Sequence, residues 1–501
     1  MKAPSLTLGV EEEYQIVDPT TRALRGHITQ LLAQDAGDAL LLRPELHQSM
    51  VEIGTRPCQT PAEIRTELVR LRGQVMGLLA RDGLTIASAG SHPFSTWWDQ
   101  EITPLERYEG VKHDMGDLAH RLLIFGMHVH VGVEDREFAV DVVNVARYFL
   151  PHLLALTTSS PFWIGRNTGL KSYRSTIFRG FPRTGIPPRI PGWGAYQQYL
   201  DTLVRTKCIP NGSKIWWDVR PHYKYPTVEF RICDACTRVD EAVCIAAILQ
   251  ALVHKLYRMR RENMTWRDYA PQLVEENKWR AMRFGLDGNL IDFGKQEELP
   301  ARMLVRELID WFLHDAVEEL GTRREVEYAH RILAEGSSAD RQLATYARTN
   351  SLEAVMDQLL AETAEGVTVI QPEAPLVGAD HHSLGERIAQ ELARKDAIFV
   401  DRPVDVPAVP GADRPLAPGP DAADGRSPHA PPPAPAALAS AAPGANASAG
   451  AAGRGPDRAD TPCDLPPVVL PPDAPGVPQI MPAAPDQAPA TAPNLPEAPE
   501  R

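Results

Sequence analysis

The sequence predicts an α+β fold in which a largely antiparallel sheet presents one polar face and helices pack on the other. The segments typical of short strands lie before Asp240, and helical patterns run from there to about residue 395. The two kinds of segment do not alternate regularly, as they would in a doubly wound parallel sheet. Several of the strand-like segments also carry charged side chains at alternate positions, which predicts a polar face.

The first predicted strand covers about residues 6–17 and contains three consecutive carboxylates, Glu11, Glu12 and Glu13. Alternate side chains of a strand share a face, so Glu11 and Glu13 point the same way. Two like charges held side by side repel unless a cation or a proton lies between them. We therefore interpret this pair as part of a metal site, and a solvated edge strand is the alternative.

A second strand is predicted over about residues 45–54, where Glu45, His47 and Glu52 are the polar members. Glu45 and Glu52 are seven residues apart, so strict alternation places them on opposite faces. Either a bulge intervenes or one of the two lies just outside the strand.

A helix start follows this strand. The run Thr60-Pro61-Ala62-Glu63 combines a capping threonine, proline at the first helical position and the glutamate of a capping box. The remaining predicted elements are a strand at 84–89, a strand at 122–133, a helix at 135–157, an irregular segment at 159–181, strands at 214–220 and 226–233, and helices from 240 to about 395.

Two later strands repeat the polar pattern. His128 and His130 share one face of the middle strand, and Glu229 and Arg231 share one face of the late strand. The opposite face of the late strand is apolar, with Val228, Phe230 and Ile232. Polar faces on four strands predict a functional site on the sheet rather than a core-facing wall.

The residue types at this site predict the cation. Carboxylates with few cysteines suit Mg²⁺, and a histidine among them is also compatible with Mn²⁺. Magnesium commonly binds through a few carboxylates together with substrate phosphates, which points to MgATP. The sequence contains no Walker A or dinucleotide-binding glycine pattern. We therefore expect ATP to be held by metal and arginine.

Positive charge comes from the segment 159–174, where Arg166, Lys171 and Arg174 lie beside two glycines. Guanidinium groups hold phosphate or carboxylate oxygens through paired hydrogen bonds. A solvated basic loop is the alternative interpretation of this segment.

The end of the chain has a different composition. We predict a catalytic domain over residues 1–395 and a disordered tail, rich in Pro and Ala, over 396–501. From Asp401 onward the chain has no aromatic residue and no lysine, and it holds 26 of the 46 prolines. Such a segment buries too little apolar area to offset its ordering entropy. Its composition does not identify a partner.

Bulk properties exclude several classes of protein. The formal net charge of −13 argues against nucleic-acid binding. We find no signal peptide, and the longest apolar run that we identify, Val243–Val253, is too short to span a membrane. Six cysteines without a pairing pattern suit the cytoplasm. Cys233 and Cys236 are interpreted as packing residues, since a structural zinc site needs four ligands.

Five segments form an ordered signature: GVEEEY, ELHQSMVEIGT, GMHVHVG, SSPFWIGRNTGLKSYRS and WWDVRPHYKYPTVEFRICD. Together, from about Leu6 to about Thr368, they resemble the type 2 glutamate–cysteine ligases, bacterial carboxylate–amine ligases with a glutamine-synthetase-like fold. The resemblance implies that ATP phosphorylates a substrate carboxylate and that an amine displaces phosphate from the acyl phosphate. In the best-known activity glutamate supplies the γ-carboxylate and cysteine the amine; other members have weak activity or unknown substrates. The resemblance is compatible with a homodimer.

The resemblance also implies roles for single residues. Arg231 corresponds to a phosphate or acyl-phosphate contact, and Arg166 and Arg174 correspond to substrate and phosphate arginines. Nucleotide contacts are expected from Glu13, Lys171 and Arg231. Asn167 departs from the pattern, because many relatives have an acidic residue there. The implied metal and MgATP ligands are Glu11, Glu13, Glu45, Glu52, His128 and Glu229.

Two other functions fit parts of the pattern. His128-Val129-His130 matches the His-x-His pair of amidohydrolases, in which a metal activates water. In those enzymes the pair follows an early strand of a parallel barrel, whereas two acidic strands precede it here. A non-catalytic nucleotide or metal binder is the second alternative, although a binder needs fewer charged faces.

Overall fold

A computed structural model describes residues 2–34 and 42–371 of the chain. The α+β class predicted from the sequence is confirmed, with an antiparallel main sheet and helices packed on one side of it. The predicted tail at 396–501 lies outside the described residues.

The strands of the described chain are β1 (Leu8–Val17), β2 (Leu42–Pro44), β3 (Met50–Gly54), β4 (Thr85–Ala87), β5 (Met127–Gly132), β6 (Phe162–Trp163), β7 (Arg166–Asn167), β8 (Thr184–Gly185), β9 (Trp216–Trp217), β10 (Val219–Pro221), β11 (Thr227–Phe230), β12 (Asn289–Asp292) and β13 (Glu297–Pro300).

The helices are α1 (Ile28–Gln34), α2 (Pro61–Ala80), α3 (Glu106–Met115), α4 (Asp117–His120), α5 (Arg136–Ala146), α6 (Leu150–Thr157), α7 (Tyr173–Phe178), α8 (Trp193–Arg205), α9 (Val239–Arg261), α10 (Pro271–Phe284), α11 (Ala301–Arg306), α12 (His314–Leu320), α13 (Arg323–Glu335), α14 (Ser338–Thr349) and α15 (Leu352–Thr363). Short 3₁₀ segments lie at Trp97–Asp99, Arg147–Phe149, Gly212–Lys214 and Gly285–Asp287, and a π-helical segment at Glu307–Phe312.

The main sheet is built around β1. Its strand order is β10-β11-β5-β1-β3-β2, β4 also pairs with β1, and the recorded pairings are antiparallel. The register places Glu13 opposite Glu52 and Glu11 opposite His128. It also places Glu229 opposite His130, so the predicted polar residues come from adjacent strands.

One face of this sheet is covered by helices. α2 and α9 pack on β1, and α5 packs on β10 and β11. The side chains that β1 sends to this layer, including Val10 and Tyr14, are fully buried in the main apolar core. Because the side chains of β1 alternate, its other face remains for Glu11 and Glu13.

Several predicted boundaries are corrected by the structure. The predicted strand at 45–54 is a strand only over β3, and residues 45–49 form the connection from β2 to β3. This connection contains a turn in which the amide of Met50 donates to the carbonyl of His47 at 3.0 Å. Glu45 lies in that connection, just outside a strand, which is one of the two arrangements that its spacing from Glu52 required. The β12–β13 hairpin interrupts the region predicted as helical.

The predicted helix at 135–157 is also divided, into α5, a 3₁₀ turn and α6, whose first turn contains Pro151. Proline there removes a backbone donor and favours a new helix start.

Among the described residues, this Arg136–Thr157 segment is long and apolar enough to cross a membrane, and it exceeds the run at Val243–Val253 that we expected to be longest. However, 78% of its most apolar 18-residue stretch is buried inside the fold, as expected for a core helix.

The middle carboxylate of the triplet has a structural role that the sequence did not indicate. Glu12 points into the helical layer and forms an ion pair with Arg72 of α2, whose side chain is 0% exposed. The guanidinium Nη2 lies 2.6 Å from Glu12 Oε1, and Nε lies 3.1 Å from both Glu12 Oε2 and the Tyr14 hydroxyl. Arg72 also donates to the carbonyls of Cys236 and Thr237, at 3.0 and 2.8 Å. This one residue joins β1, α2 and the segment after β11.

We expect Arg72→Leu to lower the free energy of unfolding by about 3–5 kcal/mol, because it leaves the Glu12 carboxylate buried and unpaired. Arg65→Ala is the matched control on the same helix. Arg65 pairs with Asp240 but is 45% exposed, so its loss should cost at most about 1 kcal/mol. Denaturant unfolding measures both changes.

Glu12→Leu combined with Arg72→Leu should recover part of this loss, because the double variant buries no unpaired charge. Equal stabilities of the Arg72→Leu and Arg65→Ala proteins would contradict the structural role of Arg72.

Candidate active site

The polar face of the sheet is centred on Glu11. Its Oε1 accepts from Arg43 Nη1 of β2 at 2.9 Å, and its Oε2 lies 3.2 Å from His128 Nδ1 and 3.7 Å from His130 Nε2. Burial by itself raises the pKa of Glu11. The hydrogen bond with His128, the nearby His130 and the charge of Arg43 outweigh burial and hold the pKa of Glu11 well below its ordinary value. Glu11 is therefore an ionised carboxylate that joins three strands.

Glu229 is held on the same face by two arginines. Arg220 of β10 forms a paired contact with it, Nε to Oε2 at 2.8 Å and Nη2 to Oε1 at 3.1 Å, and Arg231 Nη1 donates to Oε1. Burial raises the pKa of Glu229, but the charges of Arg220 and Arg231 are stronger and keep it well below the ordinary range. Glu229 is also ionised.

Glu11, His130 and Glu229 form a candidate metal centre. One ligand atom from each lies within 4.8 Å of the other two. His130 Nε2 is buried and makes no hydrogen bond within the described residues, so this nitrogen is available to bind a metal ion. Carboxylate and imidazole donors fit Mg²⁺ or Mn²⁺, so these residues suit the divalent cation that the resemblance implies. The predicted set contained His128, whereas the geometry places its neighbour His130 in this cluster.

Glu13 and Glu52 form a second carboxylate pair next to this centre. Burial, only partly offset by Arg174 and increased by the charge of Glu52, raises the pKa of Glu13 to about 7. Burial and the charge of Glu11 raise the pKa of Glu52 to about 8, although Arg43 Nη1 lies 3.0 Å from its Oε1. The neighbouring arginines do not offset the burial of these two carboxylates, so a further cation beside them would favour their ionised form.

His128 and Glu45 border this second pair. His128 Nε2 lies 4.0 Å from Glu13 Oε1, and burial together with Arg231 lowers the pKa of His128 to about 4. Glu45 is not on a strand, and its charge contributes to the raised pKa of Glu52.

Arg174 reaches the site from α7. Its guanidinium lies against Gly126, where an added Cβ would be 2.3 Å from Nη2, so the close approach requires glycine. The amide of Gly126 donates to Glu13 Oε2 at 2.5 Å. Arg174 and Glu13 are therefore held next to each other by the same residue.

Two other predicted residues lie elsewhere in the segment 159–174. Arg166 is exposed on β7 of the β6–β7 hairpin. Lys171 Nζ pairs with Asp287 at 3.0 Å and with Asp340. Asn167 Oδ1 accepts from the amide of Gly169 at 2.9 Å, so this side chain supports the turn. The contacts described for these three side chains do not include the carboxylates of the sheet.

The structure adds residues that the sequence did not indicate. Arg43 and Arg220 bind the carboxylates directly, and His222 Nε2 lies 3.9 Å from Glu229 Oε2. Arg220 lies two residues from Asp218 in the WWDVRP segment, so strand alternation could have identified it. The short strand of Arg43 carried no comparable pattern.

Cys233 and Cys236 are buried free thiols, and burial raises the pKa of Cys233 to about 12, which agrees with a packing role.

Known proteins are similar to this chain in sequence and in fold. A protein of Roseiflexus castenholzii named "Putative glutamate--cysteine ligase 2" is 58% identical over 368 residues, 73% of this chain and 96% of that protein. A Chloroflexus aurantiacus protein with the same name is 55% identical over 382 residues, 76% of this chain and 97% of that one.

Among solved structures, the glutamate–cysteine ligase of Francisella tularensis in complex with AMP aligns with a TM-score of 0.59 at 13% identity, covering 80% of this chain and 96% of that one. At this identity the likeness establishes the fold alone. The model of Glutamate-cysteine ligase family 2 matches residues 7–358, more than half of the chain. The chain therefore belongs to Glutamate-cysteine ligase family 2.

Proposed function

We propose that this protein is an ATP-dependent carboxylate–amine ligase that forms an amide through an acyl-phosphate intermediate. The observation that carries the proposal is the convergence of Glu11, His130 and Glu229 into a metal-binding geometry, with arginines on the same face. The terminal phosphoryl group of ATP passes to the substrate carboxylate, and the amine then displaces phosphate. The products are the amide, ADP and inorganic phosphate.

The carboxylate face supplies the ligands for divalent ions. We assign Glu11, His130 and Glu229 to one ion, and Glu13, Glu52 and Glu45, with His128 beside them, to the rest of the MgATP site. Divalent cations bound there would neutralise charge on the phosphate oxygens. Phosphoryl transfer depends mainly on such positioning and charge neutralisation, and needs little covalent help from the protein.

The arginines supply the remaining positive charge. Arg231 bonds Glu229 and lies near His128, with Nη1 3.5 Å from Nδ1, and Arg174 lies beside Glu13. We propose that both offset the charge that develops on the transferring phosphoryl group. We assign the same role to Arg166 and nucleotide binding to Lys171, although their described contacts lie outside the carboxylate face.

The names of the relatives support glutamate and cysteine as the acid and the amine, and the AMP in the Francisella tularensis complex supports an adenine nucleotide. The attacking amine must be neutral, so a base or water has to accept its proton. Glu13 and Glu52 are our candidates for this base. A pKa of about 7 or about 8 suits a proton acceptor near neutral pH, so the base would be whichever of the two binds no cation.

Nucleotide binding is the first prediction. Isothermal titration calorimetry of the full chain with ATP and Mg²⁺ or Mn²⁺ should show binding, and removing the metal with EDTA should weaken it at least about tenfold, since the carboxylates repel the phosphates. Absence of nucleotide binding with either metal would overturn the proposal.

Catalysis is the second prediction. Glu229→Gln should lower ADP and amide formation at least about a hundredfold, because it removes one charged ligand from the metal centre. Glu241→Gln is the matched control, since Glu241 is a buried acid paired with an arginine, Arg341, at 2.7 Å in another part of the fold. Mass spectrometry with ATP, glutamate and cysteine, then with a panel of amino-acid pairs, provides the measurement.

Metal-dependent hydrolysis of an amide in the absence of ATP would instead favour the hydrolase, and nucleotide binding without any product would favour the non-catalytic binder. Equal turnover of the Glu229→Gln and parent proteins would contradict the assignment of the metal centre.

The extent of the catalytic domain is the third prediction. We propose that residues 1–395 suffice for the reaction, because 73% of this chain covers 96% of the Roseiflexus castenholzii relative. Deletion of residues 401–501 should leave kcat within about twofold and the melting temperature nearly unchanged. A large loss of either, measured beside the full chain, would contradict this domain boundary.

A further inference from the structure

A buried carboxylate that takes no part in the proposed chemistry lies beneath the segment 159–174. Asp234 follows β11 and is 0% exposed. Its Oδ2 accepts from the amide of Ser159 at 3.0 Å and from the hydroxyl of Ser160 at 2.7 Å. Its Oδ1 accepts from the hydroxyl of Ser172 at 2.8 Å. One carboxylate therefore binds the chain on both sides of the β6–β7 hairpin.

The backbone closes at the same place. Ser160 and Ser172 form an isolated parallel bridge, in which the amide of Ser160 donates to the carbonyl of Lys171 at 3.1 Å and the amide of Tyr173 donates to the carbonyl of Ser160 at 2.9 Å. The hydroxyl of Ser160 accepts from the amide of Arg174 at 3.0 Å. The loop that carries Arg166 thus begins and ends on residues bound to Asp234.

Asp234 is also close to an arginine of the site. Arg174 Nη1 lies 3.8 Å from Asp234 Oδ1, and the same guanidinium donates to the carbonyls of Arg231 and Ile232 at 3.4 and 3.5 Å. Arg174 therefore interacts with the buried Asp234 carboxylate and with the Glu13 carboxylate of the polar face.

The surroundings leave the Asp234 carboxylate little freedom. A Cβ added at Gly90 would lie 2.8 Å from Asp234 Cγ, so glycine is needed for this approach. Gly126, against which Arg174 packs, forms an isolated antiparallel bridge with Asp234. The packing therefore favours a single position for the carboxylate, which suits a group that sets the position of others.

We propose that Asp234 is a positioning residue of the ligase, which holds Arg174 directly and Arg166 through the ends of its loop. This role rests on the proposed function and extends it to a buried residue. No described contact joins Asp234 to the carboxylates of the polar face, so its effect on the reaction would pass through the two arginines. Both arginines are proposed to act on charge that develops in the transition state. Loss of Asp234 should accordingly lower kcat and change the KM for ATP much less.

The test compares full-length Asp234→Asn with Ser172→Ala, which removes a single donor to this carboxylate, and with the Glu241→Gln control. Hydrogen–deuterium exchange of the peptide 160–174 reports on the tether without any need for ligase activity. We expect exchange of this peptide to rise at least about tenfold in Asp234→Asn and less in Ser172→Ala, relative to the control. Steady-state kinetics should show kcat lower by about tenfold or more, with the KM for ATP within about threefold.

The two measurements separate this inference from the proposed function. Exchange in Asp234→Asn equal to that of the Glu241→Gln control would overturn the tether, whether or not the protein forms an amide. Faster exchange with kcat equal to that of the control would overturn the positioning role. If the parent protein proves inactive with every acid and amine tested, the proposed ligase function fails, and the positioning role fails with it.

Discussion

The ion pair between Glu12 and Arg72 is the interaction on which the arrangement of the site depends. Side chains of a strand alternate between faces, so a shift of one residue in β1 would exchange the buried and the polar sets. Glu12 cannot face the apolar layer without Arg72, and Arg72 has the Tyr14 hydroxyl and two carbonyls as further partners there. This network favours the register in which Glu11 and Glu13 point to the opposite face.

Charge balance on the polar face follows from that register. Four acidic residues of the strands, Glu11, Glu13, Glu52 and Glu229, lie among Arg43, Arg174, Arg220 and Arg231. The balance is uneven. The two histidines with Arg43 lower the pKa of Glu11, and Arg220 with Arg231 lowers that of Glu229, while Glu13 and Glu52 retain raised pKa values. A face of this kind is suited to receive additional cations at one side and a phosphate-bearing molecule beside the arginines.

Family membership and site geometry support the proposed reaction in different ways. The family match and the relatives' names point to the class of reaction and its substrates. The geometry narrows the assignment of individual residues, since it brings His130 into the cluster with Glu11 and Glu229 and gives Lys171 two carboxylate partners of its own. It also identifies Asp234, a buried residue that carries no signal of its own in the sequence.

The sequence alone determined the fold class, the shared face of Glu11 and Glu13 and the opposition of Glu229 to an apolar face, because alternation along a strand and capping at a helix start are local rules. The tertiary structure alone decided that Glu12 pairs with Arg72, that Arg43 and Arg220 bind the site carboxylates, and that residues 45–49 connect two strands instead of extending β3. These features depend on contacts between residues distant along the chain. Their energies come from burial and charge pairing, which a local pattern does not contain.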